Sequence, residues 1–577
     1  MHSYAPCEQS ESAQAFDATT VLQNAIEALT SRDGARAAEL TGLLMAEYAA
    51  HPDVLYARAA ALMACGDNPG GRAVLEEAAR VHSLHIMQSN GVDLQRLMAD
   101  GQYAMAVARK LYNAFHMGPA IVALVAGVAD PEVAKSDGMF VLAQALHYQG
   151  RVEQAYRAFQ AAYDLKFSPH MASFILYSLF FVENGPRRHA EAAREWARLW
   201  ADYLTPENPT FLVQKRADRR LRIGYMAPTF SRMQHRHFLI PLLDHHDSEK
   251  FEVFCYVEDE TKEIPHEKVR FRSFKMMRDE LTAAMIRADE IDVLVDCHGH
   301  CSGGRPRVFA RKPAPVQVSW LNYFHTMGFK AMDYVIHAET MQADPSLFVE
   351  QIYDVGPIAS PFRPDGVVKQ SPLPARTKGY VTFGCFNHPA KVSNQTLAAW
   401  ARVLHATPGS HLMLKYSPYT DLVLRAETSA RLLAHGISPS RLEFEGHTTG
   451  DAYEQAFAGI DIALDTSPCI GGTTSLEAVS RGIPVVTLRG DDFYARIGVQ
   501  IPLALGLPDL IAETWDEYVH KAVALASDLD ALEAMRTEMP SRLESSAYRD
   551  ELGFTQRMET AYRTMFDAWL AGEAAQA

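Results

Sequence analysis

Long apolar runs, a leader signal and paired cysteines are all absent from the sequence. No stretch of 18 apolar residues occurs among the 577, so we expect no membrane span. The first residues, MHSYAPCEQSESAQ, lack the basic start and the apolar core of a signal peptide. Seven cysteines are an odd number, and their scatter along the chain indicates reduced thiols rather than a disulfide framework. These absences together predict a cytoplasmic protein.

Positive charge is also in short supply. Lys and Arg number 55 against 70 Asp and Glu, which gives a formal net charge of -15. Such an acidic chain is poorly suited to binding along a phosphate backbone, so we expect no nucleic-acid partner. A local basic pocket for one diphosphate is not excluded by this balance.

Helical patterns fill the first third of the chain. Residues 1–16 are expected to form a disordered leader, and apolar residues at three- and four-residue steps predict a helical domain over 17–210. In LAQALHYQGRVEQAYRAFQAAYDL, Gly150 is followed at the offsets of a tetratricopeptide helix pair by Ala155, Phe159 and Ala162. A weaker copy begins at Gly66, but its distance from Gly150 does not fit a regular repeat, so an ordinary helical bundle stays open. Either form supplies surface for a partner rather than chemistry.

From about residue 217, short apolar runs alternate with helical stretches, which is typical of parallel sheets. LRIGYMAP, FEVFCYV, IDVLVDCHGH, VQVSWLNY and MDYVIHAE predict a Rossmann-like domain over 217–365. YVTFGCFN, HLMLKYS, RLEFEGHT, IDIALDTS and GIPVVTLRG predict a second over 376–545. The Pro-rich stretch 356–379 is expected to be a linker, and 546–577 a closing helix. The predicted fold class is therefore α/β with an all-α N-terminal domain, and ligands should bind at the carboxyl ends of the strands.

A glycine-rich turn after one predicted strand has the features of a phosphate site. In DTSPCIGGTTSLEAVSRGIP, Gly472 allows a tight turn before Thr473 and Thr474 open a helix. Unpaired N–H groups and the helix dipole favour phosphate at such a terminus. Glu477, about one turn further on, is placed to reach ribose hydroxyls. The alternative is that the Thr-Thr-Ser run only caps the helix.

A second phosphate candidate lies in the same predicted domain. VTFGCFNHPAKVS leads from a strand through Asn387 and His388 to Lys391. A lysine just after a strand is suited to neutralise a diphosphate, although most lysines are simply solvated. The presence of two such stretches in one domain strengthens both interpretations.

Taken together and in this order, GCFN...K, GGTTSLEA...GIPVVTL and PAPVQVSWL resemble the bacterial relatives of the O-GlcNAc transferase family of glycosyltransferases. The resemblance covers roughly 217–570, and the preceding helices also fit that family. It implies a GT-B fold of two Rossmann-like domains. It also implies an inverting transfer from a nucleotide sugar, usually UDP-linked, without a metal or other cofactor.

The same resemblance implies roles for individual residues. Lys391 would contact the diphosphate and stabilise the leaving group, while Thr473 and Thr474 would bind phosphates and Glu477 the ribose. Tyr453 would stack on the uracil. The remaining donor-site positions would line the base pocket through their backbone (His447, Thr448) or lie near the sugar (Asn387, His388, Cys469).

Two loops depart from the family pattern. In APTFSRMQHRHFLIP, Met233 stands where the family usually has a histidine, and His235 or His237 is expected to serve instead as a base or as a donor that orients the acceptor. A polar surface loop is the alternative. After PVQVSWL the chain has NYFHT, residues 322–326, where the family has Gly-Tyr-Pro-Gly-Thr. We expect that loop to face the sugar, so the identity of the sugar stays open.

The segment DCHGHC, residues 296–301, brackets two histidines with two cysteines. Four ligands so close together on a strand alternate between its faces and cannot converge on one ion, so we expect no metal. His298 or His300 is expected to line the cleft and to touch phosphate or acceptor. The alternative is that both are structural histidines packed beside Gly299.

The favoured function is a bacterial, cytoplasmic enzyme that transfers a sugar, by default GlcNAc from UDP-GlcNAc, onto Ser or Thr of a protein recruited by the helical domain. One alternative is transfer of another nucleotide-activated sugar onto a bacterial protein such as flagellin. A second is a non-catalytic helical scaffold with a vestigial cleft. A third is another enzyme that acts on nucleotide sugars, such as an epimerase. A homodimer stays open.

Overall fold

The computed structural model describes most of the chain, with short gaps. The described residues are 33–49, 51–114, 116–128, 136–182, 185–231, 233–366, 368, 370–491 and 493–576, with positions 21, 22, 24, 25 and 28. The leader expected at 1–16 lies outside them. Within these ranges, every helix is too short or too polar to cross a lipid bilayer.

Helices occupy the amino-terminal part of the described chain: α1 (Gly34–Tyr48), α2 (Pro52–Ala64), α3 (Asn68–Ser89), α4 (Leu94–Ala99), α5 (Gly101–Asn113), α6 (Met117–Val128), α7 (Ser136–Tyr148), α8 (Val152–Leu165), α9 (Pro169–Ser178) and α10 (Pro186–Trp200). Several begin at an aspartate, such as Asp33, Asp67 and Asp100, whose carboxylate accepts a bond from a free backbone N–H. Such caps typically contribute about 1 kcal/mol each.

The helices pack as antiparallel neighbours, with α2 on α3, α5 on α6 and α7 on α8. Gly150 forms the turn between α7 and α8 at a φ of 71°, a conformation that favours glycine. The three residues that follow it at the predicted offsets are buried against α7: Ala155, Phe159 and Ala162. The helix pair predicted at this position is confirmed.

The first Rossmann-like domain has a seven-stranded parallel sheet in the order β3-β2-β1-β4-β5-β6-β7. Its elements are β1 (Leu221–Met226), α11 (Met233–His245), β2 (Phe251–Val257), β3 (Val269–Ser273), α12 (Asp279–Ala288), β4 (Val293–Asp296), α13 (Pro306–Phe309), β5 (Val316–Ser319), β6 (Tyr334–His337) and β7 (Gln351–Asp354). The central strands β4 and β5 are buried throughout, which explains their unbroken apolar runs.

The second Rossmann-like domain has a six-stranded parallel sheet in the order β10-β9-β8-β11-β12-β13. Its elements are α14 (Pro374–Lys378), β8 (Thr382–Cys385), α15 (Asn394–Ala406), β9 (His411–Lys415), α16 (Leu422–Ala434), β10 (Leu442–Glu445), α17 (Asp451–Ala458), β11 (Ile462–Leu464), α18 (Thr473–Ser480), β12 (Val485–Leu488), α19 (Ile497–Ala504), β13 (Ile511–Ala512), α20 (Trp515–Ser527) and α21 (Leu529–Glu544). The predicted fold class is confirmed by these two sheets behind a helical domain.

The last helix, α22 (Glu551–Gln576), returns to the first domain. Its Tyr562 hydroxyl lies 3.2 Å from the hydroxyl of Tyr225 on β1, and Glu559 lies 2.9 Å from Nδ1 of His246. The stretch 356–379, expected to be a plain linker, is instead packed between these parts. Phe362 within it is fully buried, and its N–H donates to the carbonyl of Tyr548.

The helical domain contacts both Rossmann-like domains. Trp196 of α10 packs against the ring of His300 in the first domain, with 4.5 Å between the ring centres. On the second domain, Asp421 is buried and accepts bonds from the Gly118 N–H at 2.6 Å and from the Gln149 amide at 3.0 Å. The three domains therefore form one packed unit.

Candidate active site

The carboxyl ends of the two sheets face each other across a cleft. Burial raises the pKa of the Cys301 thiol, and its neighbours Asp296 and Cys469 raise it further, so the loops after β4 and β11 lie close together. Burial also raises the pKa of Glu477 on α18, while Arg481 and then His237 of the first domain act against that rise. Residues of both domains thus share one site.

On the second domain, the turn before α18 is organised by Asp465. This buried carboxylate accepts from the N–H groups of Thr466 and Gly471, at 2.9 and 2.7 Å, and from the amide of Asn387 at 3.2 Å. A Cβ on Gly471 would lie 2.3 Å from Oγ of Ser475, so a larger residue there would displace that side chain. Asp465 was not predicted as a site residue.

The amino end of α18 is open for an anion. Gly472 precedes the helix as its N-cap and, having no side chain, makes no cap bond, so among the described residues the first N–H groups of α18 lack a side-chain cap. Thr473 and Thr474 are half-buried at this end. The Thr474 hydroxyl donates to the side-chain oxygen of Asn387 at 2.7 Å, which joins the turn after β8 to the helix. Free N–H groups and a helix dipole make this terminus suited to phosphate.

Lys391 points at the same turn. It ends a short 3-10 helix, Pro389–Lys391, that follows β8. Its Nζ donates to the carbonyl oxygen of Ile470 at 2.7 Å, two residues before Gly472. The two phosphate candidates of the sequence are therefore brought together at one place.

His388, expected near the sugar, is half-buried and lies against the helical domain. Its ring packs among the rings of His147, Tyr148 and Tyr416, with centre-to-centre distances of 5.4, 5.1 and 5.1 Å. Its Nδ1 accepts from the Ala390 N–H at 3.0 Å. Burial, and then the nearby His147 and Lys391, hold its pKa well below the usual range, so the imidazole is neutral. His388 therefore packs between the two domains, and its expected position near the sugar stays a prediction.

The proposed nucleoside side of the site contains a polar network. Tyr453 donates from its hydroxyl to Glu477 at 3.0 Å. Lys415, which the sequence analysis did not select, donates to the Thr448 hydroxyl at 2.5 Å and pairs with Glu445 at 3.1 Å. His447 is exposed beside this network. The bonds at Tyr453 and Glu477 must rearrange if these groups are to reach a base and a ribose.

Half-buried Cys469 lies between Asp465 and the start of α18. The Thr466 hydroxyl donates to its carbonyl at 2.7 Å. Burial raises the pKa of its thiol, against the effect of nearby Lys391. Cys469 therefore stays a neutral wall of the cleft beside Lys391.

His235 and His237 lie on α11 rather than on a surface loop, and both are almost fully buried. His235 has its Nε2 3.3 Å from the Cys297 carbonyl, and its ring centre is 5.5 Å from that of His298. His237 has its Nδ1 2.6 Å from the Arg363 carbonyl oxygen. The loop prediction was wrong because the apolar residues after His237 extend the helix back to Met233.

The two histidines of DCHGHC diverge. His298 is half-buried beside His235, with its Nε2 2.9 Å from the Ser302 carbonyl. His300 turns away from the cleft, and its Nδ1 lies 3.0 Å from the Ser173 hydroxyl of α9. Burial lowers the pKa of His300 to about 4. The cleft-wall prediction is therefore corrected for His300, which packs against the helical domain.

Asp296, the first residue of the same segment, was overlooked. It is 2 % exposed, and its Oδ1 accepts from the N–H groups of His298 and Gly299 at 2.9 and 2.8 Å. Its Oδ2 has no hydrogen-bond partner among the described residues. Burial raises its pKa to about 6. Within the same ranges, no group of three His, Cys, Asp or Glu side chains is arranged to hold a metal ion.

In the loop 322–326, Tyr323 and His325 turn toward the helical domain, whereas the side-chain nitrogen of Asn322 lies 3.4 Å from Nδ1 of His298. The Tyr323 hydroxyl lies 2.8 Å from Nε2 of His189 on α10, and the rings of His189 and His325 stack with centres 4.0 Å apart. Thr326 donates to buried Glu350 at 2.6 Å. Larger residues replace glycine and proline here because the loop packs against the helical domain.

Comparison with known proteins gives the same picture. The family model described as glycosyl transferase family 41 matches residues 177–351 and 369–558. A probable UDP-N-acetylglucosamine–peptide N-acetylglucosaminyltransferase, SPINDLY of Hordeum vulgare, is 32% identical over 409 residues, which are 67% of this chain and 42% of that protein. The UDP-N-acetylglucosamine–peptide N-acetylglucosaminyltransferase of Caenorhabditis elegans is 25% identical over 480 residues, covering 61% and 41%. The chain thus spans about two fifths of the length of these curated relatives.

Among solved structures, a lysine mutant of the O-GlcNAc transferase from Thermobaculum terrenum superposes with a TM-score of 0.75 at 27% identity. The match covers 96% of this chain and 98% of that one, so it includes the helical domain and both sheets. The paired sheets, the open end of α18 and the family match over more than half of the sequence agree. This chain belongs to glycosyl transferase family 41.

Proposed function

We propose that this protein is an inverting, metal-independent glycosyltransferase that moves a sugar from a nucleotide donor onto Ser or Thr of a protein. The default donor is UDP-GlcNAc, because relatives named for that activity match most of the chain. The observation that carries the proposal is the convergence of Lys391 with the open amino end of α18. No metal or cofactor is required by this proposal.

The chemistry follows from where charge develops. Breaking the bond between sugar and phosphate leaves a diphosphate with growing negative charge. Lys391 and the N–H groups of Thr473 and Thr474 are fixed donors beside that position, and they interact more strongly with the leaving group than with the intact donor. If the Nζ of Lys391 donated to a phosphate oxygen instead of the Ile470 carbonyl, Lys391 would gain a charged partner.

The acceptor side belongs to the first domain in this proposal. His235 or His237 serves as a base or orients the acceptor hydroxyl. The closeness of His235 to His298 favours His235 over His237. Asp296 is a further candidate to accept the proton, because its Oδ2 has no hydrogen-bond partner in the described part of the chain and burial raises its pKa to about 6. Inversion needs only one displacement, so no covalent enzyme intermediate is invoked.

The helical domain recruits the protein acceptor in this proposal, and the free cysteines of the described chain support a cytoplasmic location. A non-catalytic scaffold is not favoured, since such a protein has no need for a lysine directed at an open helix end. A homodimer remains a proposal that no contact in the chain supports.

The test is turnover of purified protein with a panel of UDP-, GDP- and CMP-sugars and a Ser/Thr peptide library, read as released nucleotide and glycosylated peptide. We expect turnover with one nucleotide class and a loss of about a hundredfold or more in Lys391→Ala. Lys521→Ala is the matched control, because Lys521 also donates to a carbonyl, that of Asp509, but lies half-buried on α20.

Two outcomes would contradict the proposal. Absence of both turnover and nucleotide binding with every donor would remove the enzymatic function. Equal activity in Lys391→Ala and Lys521→Ala would leave a transferase but remove the role assigned to Lys391.

A further inference from the structure

The turn between α7 and α8 contacts the second Rossmann-like domain through three consecutive residues. Gln149 donates to the buried carboxylate of Asp421 at 3.0 Å. Arg151 pairs with Glu427 of α16 at 3.1 Å. Gly150, between them, lies directly against Pro389. This turn is therefore fixed to the domain that carries the phosphate-binding elements, on both sides of its central glycine.

The contact at Gly150 leaves no room for a side chain. A Cβ there would lie 2.9 Å from the carbonyl oxygen of Pro389 and 3.2 Å from its carbonyl carbon. Pro389 opens the short 3-10 helix that ends in Lys391. The backbone that carries Lys391 is thus in van der Waals contact with the backbone of the helical domain.

The same 3-10 helix is held from a second side. His388 precedes Pro389, accepts a bond from the Ala390 N–H, and places its ring 5.4 Å from that of His147 and 5.1 Å from that of Tyr148, both at the end of α7. A neutral ring packed among rings has one well-defined position. The end of α7 and the turn after it therefore enclose the residues that lead to Lys391.

The side chain of Lys391 makes one hydrogen bond among the described residues, to the carbonyl of Ile470. A long side chain held by one hydrogen bond depends on its backbone for its position. A displacement of about 1 Å is enough to remove much of the transition-state stabilisation that such a charge supplies. We propose that the α7–α8 turn of the helical domain is a positioning element of the donor site, which sets the distance between Lys391 and the diphosphate. This inference rests on the proposed function.

The first test compares two turn glycines of the helical domain that share a φ of 71°. Gly150→Ala pushes on Pro389, whereas Gly91→Ala meets nothing within 4 Å and carries the same backbone strain. Binding of UDP and of uridine is measured by competition against a labelled nucleotide. If GDP is the nucleotide that the wild type binds, GDP and guanosine replace them.

We expect Gly150→Ala to weaken UDP binding about tenfold, because it displaces a charged contact to phosphate, and to leave uridine binding unchanged. Gly91→Ala should bind both probes as the wild type does. With the sugar donor, the fall in kcat of Gly150→Ala should exceed any rise in KM for the peptide. Equal weakening of both probes in a Gly150→Ala protein that unfolds at the same temperature as Gly91→Ala would overturn the proposal.

A second variant keeps the test decisive if Gly150→Ala does not fold. His147→Ala removes the ring beside His388 without backbone strain, and His170→Ala removes a ring from the Phe140–Phe174 cluster of the same domain. We expect a selective loss of UDP over uridine binding in the first variant only. An unchanged ratio of the two affinities in His147→Ala overturns the inference while the proposed function stands. A wild type that binds no nucleotide contradicts the proposed function instead.

Discussion

At the scale of single residues, the buried carboxyl of Asp296 has a pKa suited to proton transfer near neutral pH. Burial raises its pKa to about 6, so the carboxyl is protonated below that pH and cannot accept a proton from an acceptor hydroxyl. We expect the wild-type kcat/KM to fall as the pH drops through about 6. Asp296→Asn should keep the bonds to His298 and Gly299, lower kcat about a hundredfold and remove this acid limb.

Asp333 provides the control for that profile. Burial raises its pKa as well, but it pairs with Lys312 and precedes β6, at the opposite end of the sheet. Asp333→Asn should retain the acid limb of the wild type. An acid limb that persists unchanged in Asp296→Asn would exclude Asp296 from the proton transfer.

Single residues differ in how far the sequence alone could identify them as site candidates. Lys391 and the Thr473–Thr474 pair were found because their positions after strands carry chemical meaning. Asp296 and Asp465 were missed because an aspartate that ends a strand is common. The interdomain contacts of His300 and His388 depend on the docking of the helical domain, and no local pattern encodes that arrangement.

At the scale of elements, the turn after β4 depends on Gly299. Its φ is 58°, and a Cβ would lie 2.4 Å from Cβ of Tyr323. We expect Gly299→Ala to destabilise the protein by about 3 kcal/mol or more, since it adds a steric clash to the strain of the left-handed backbone. The thermal unfolding midpoint measures this change.

Gly366→Ala separates the effect of backbone strain from the effect of the steric clash. Gly366 has a similar φ of 64°, and nothing lies within 4 Å of its added Cβ. Its variant should cost about 1–2 kcal/mol from backbone strain alone. Equal shifts of the unfolding midpoint in both variants would show that the Tyr323 contact is unimportant.

The elements themselves were mostly predictable. Buried strands such as β4 and β8 give unbroken apolar runs, which the sequence displays directly. By contrast, β3 alternates arginines with apolar residues, β7 is largely exposed and β13 has two residues, so none of the three produces such a run. The helix α11 was interpreted as a loop because polar residues fill its first turn.

At the scale of the whole molecule, buried histidines lie at and near the contact between the helical domain and the Rossmann-like domains. Burial lowers the pKa of His147, His300 and His337 to about 4 and that of His325 to about 3. Their ordinary pKa is 6.5, so between about pH 6.5 and 4 the unfolded chain binds more protons than the folded one. Stability should therefore be highest above pH 6.5 and be lost as the pH falls toward 4.

The measurement is the thermal unfolding midpoint between pH 7.5 and 5, where each pKa unit corresponds to roughly 1.4 kcal/mol of protonation free energy. His325→Asn, which cannot be protonated, should show a shallower decline than the wild type. His520→Asn changes an exposed histidine and should decline as steeply as the wild type. A wild-type midpoint that stays constant down to pH 5 would contradict the expectation.

The return of α22 to the first Rossmann-like domain has a consequence for biosynthesis. Its Tyr562 and Phe566 cover apolar residues around Tyr225 and Leu221, which are translated long before them. A ribosome makes the entire second domain in the interval, and during that time the inner face of β1 lacks its covering helix. Domains of a growing chain generally fold in the order of synthesis, and exposed apolar surface favours aggregation. The amino-terminal sheet of this protein can therefore complete its packing only after the carboxyl-terminal helix has left the ribosome.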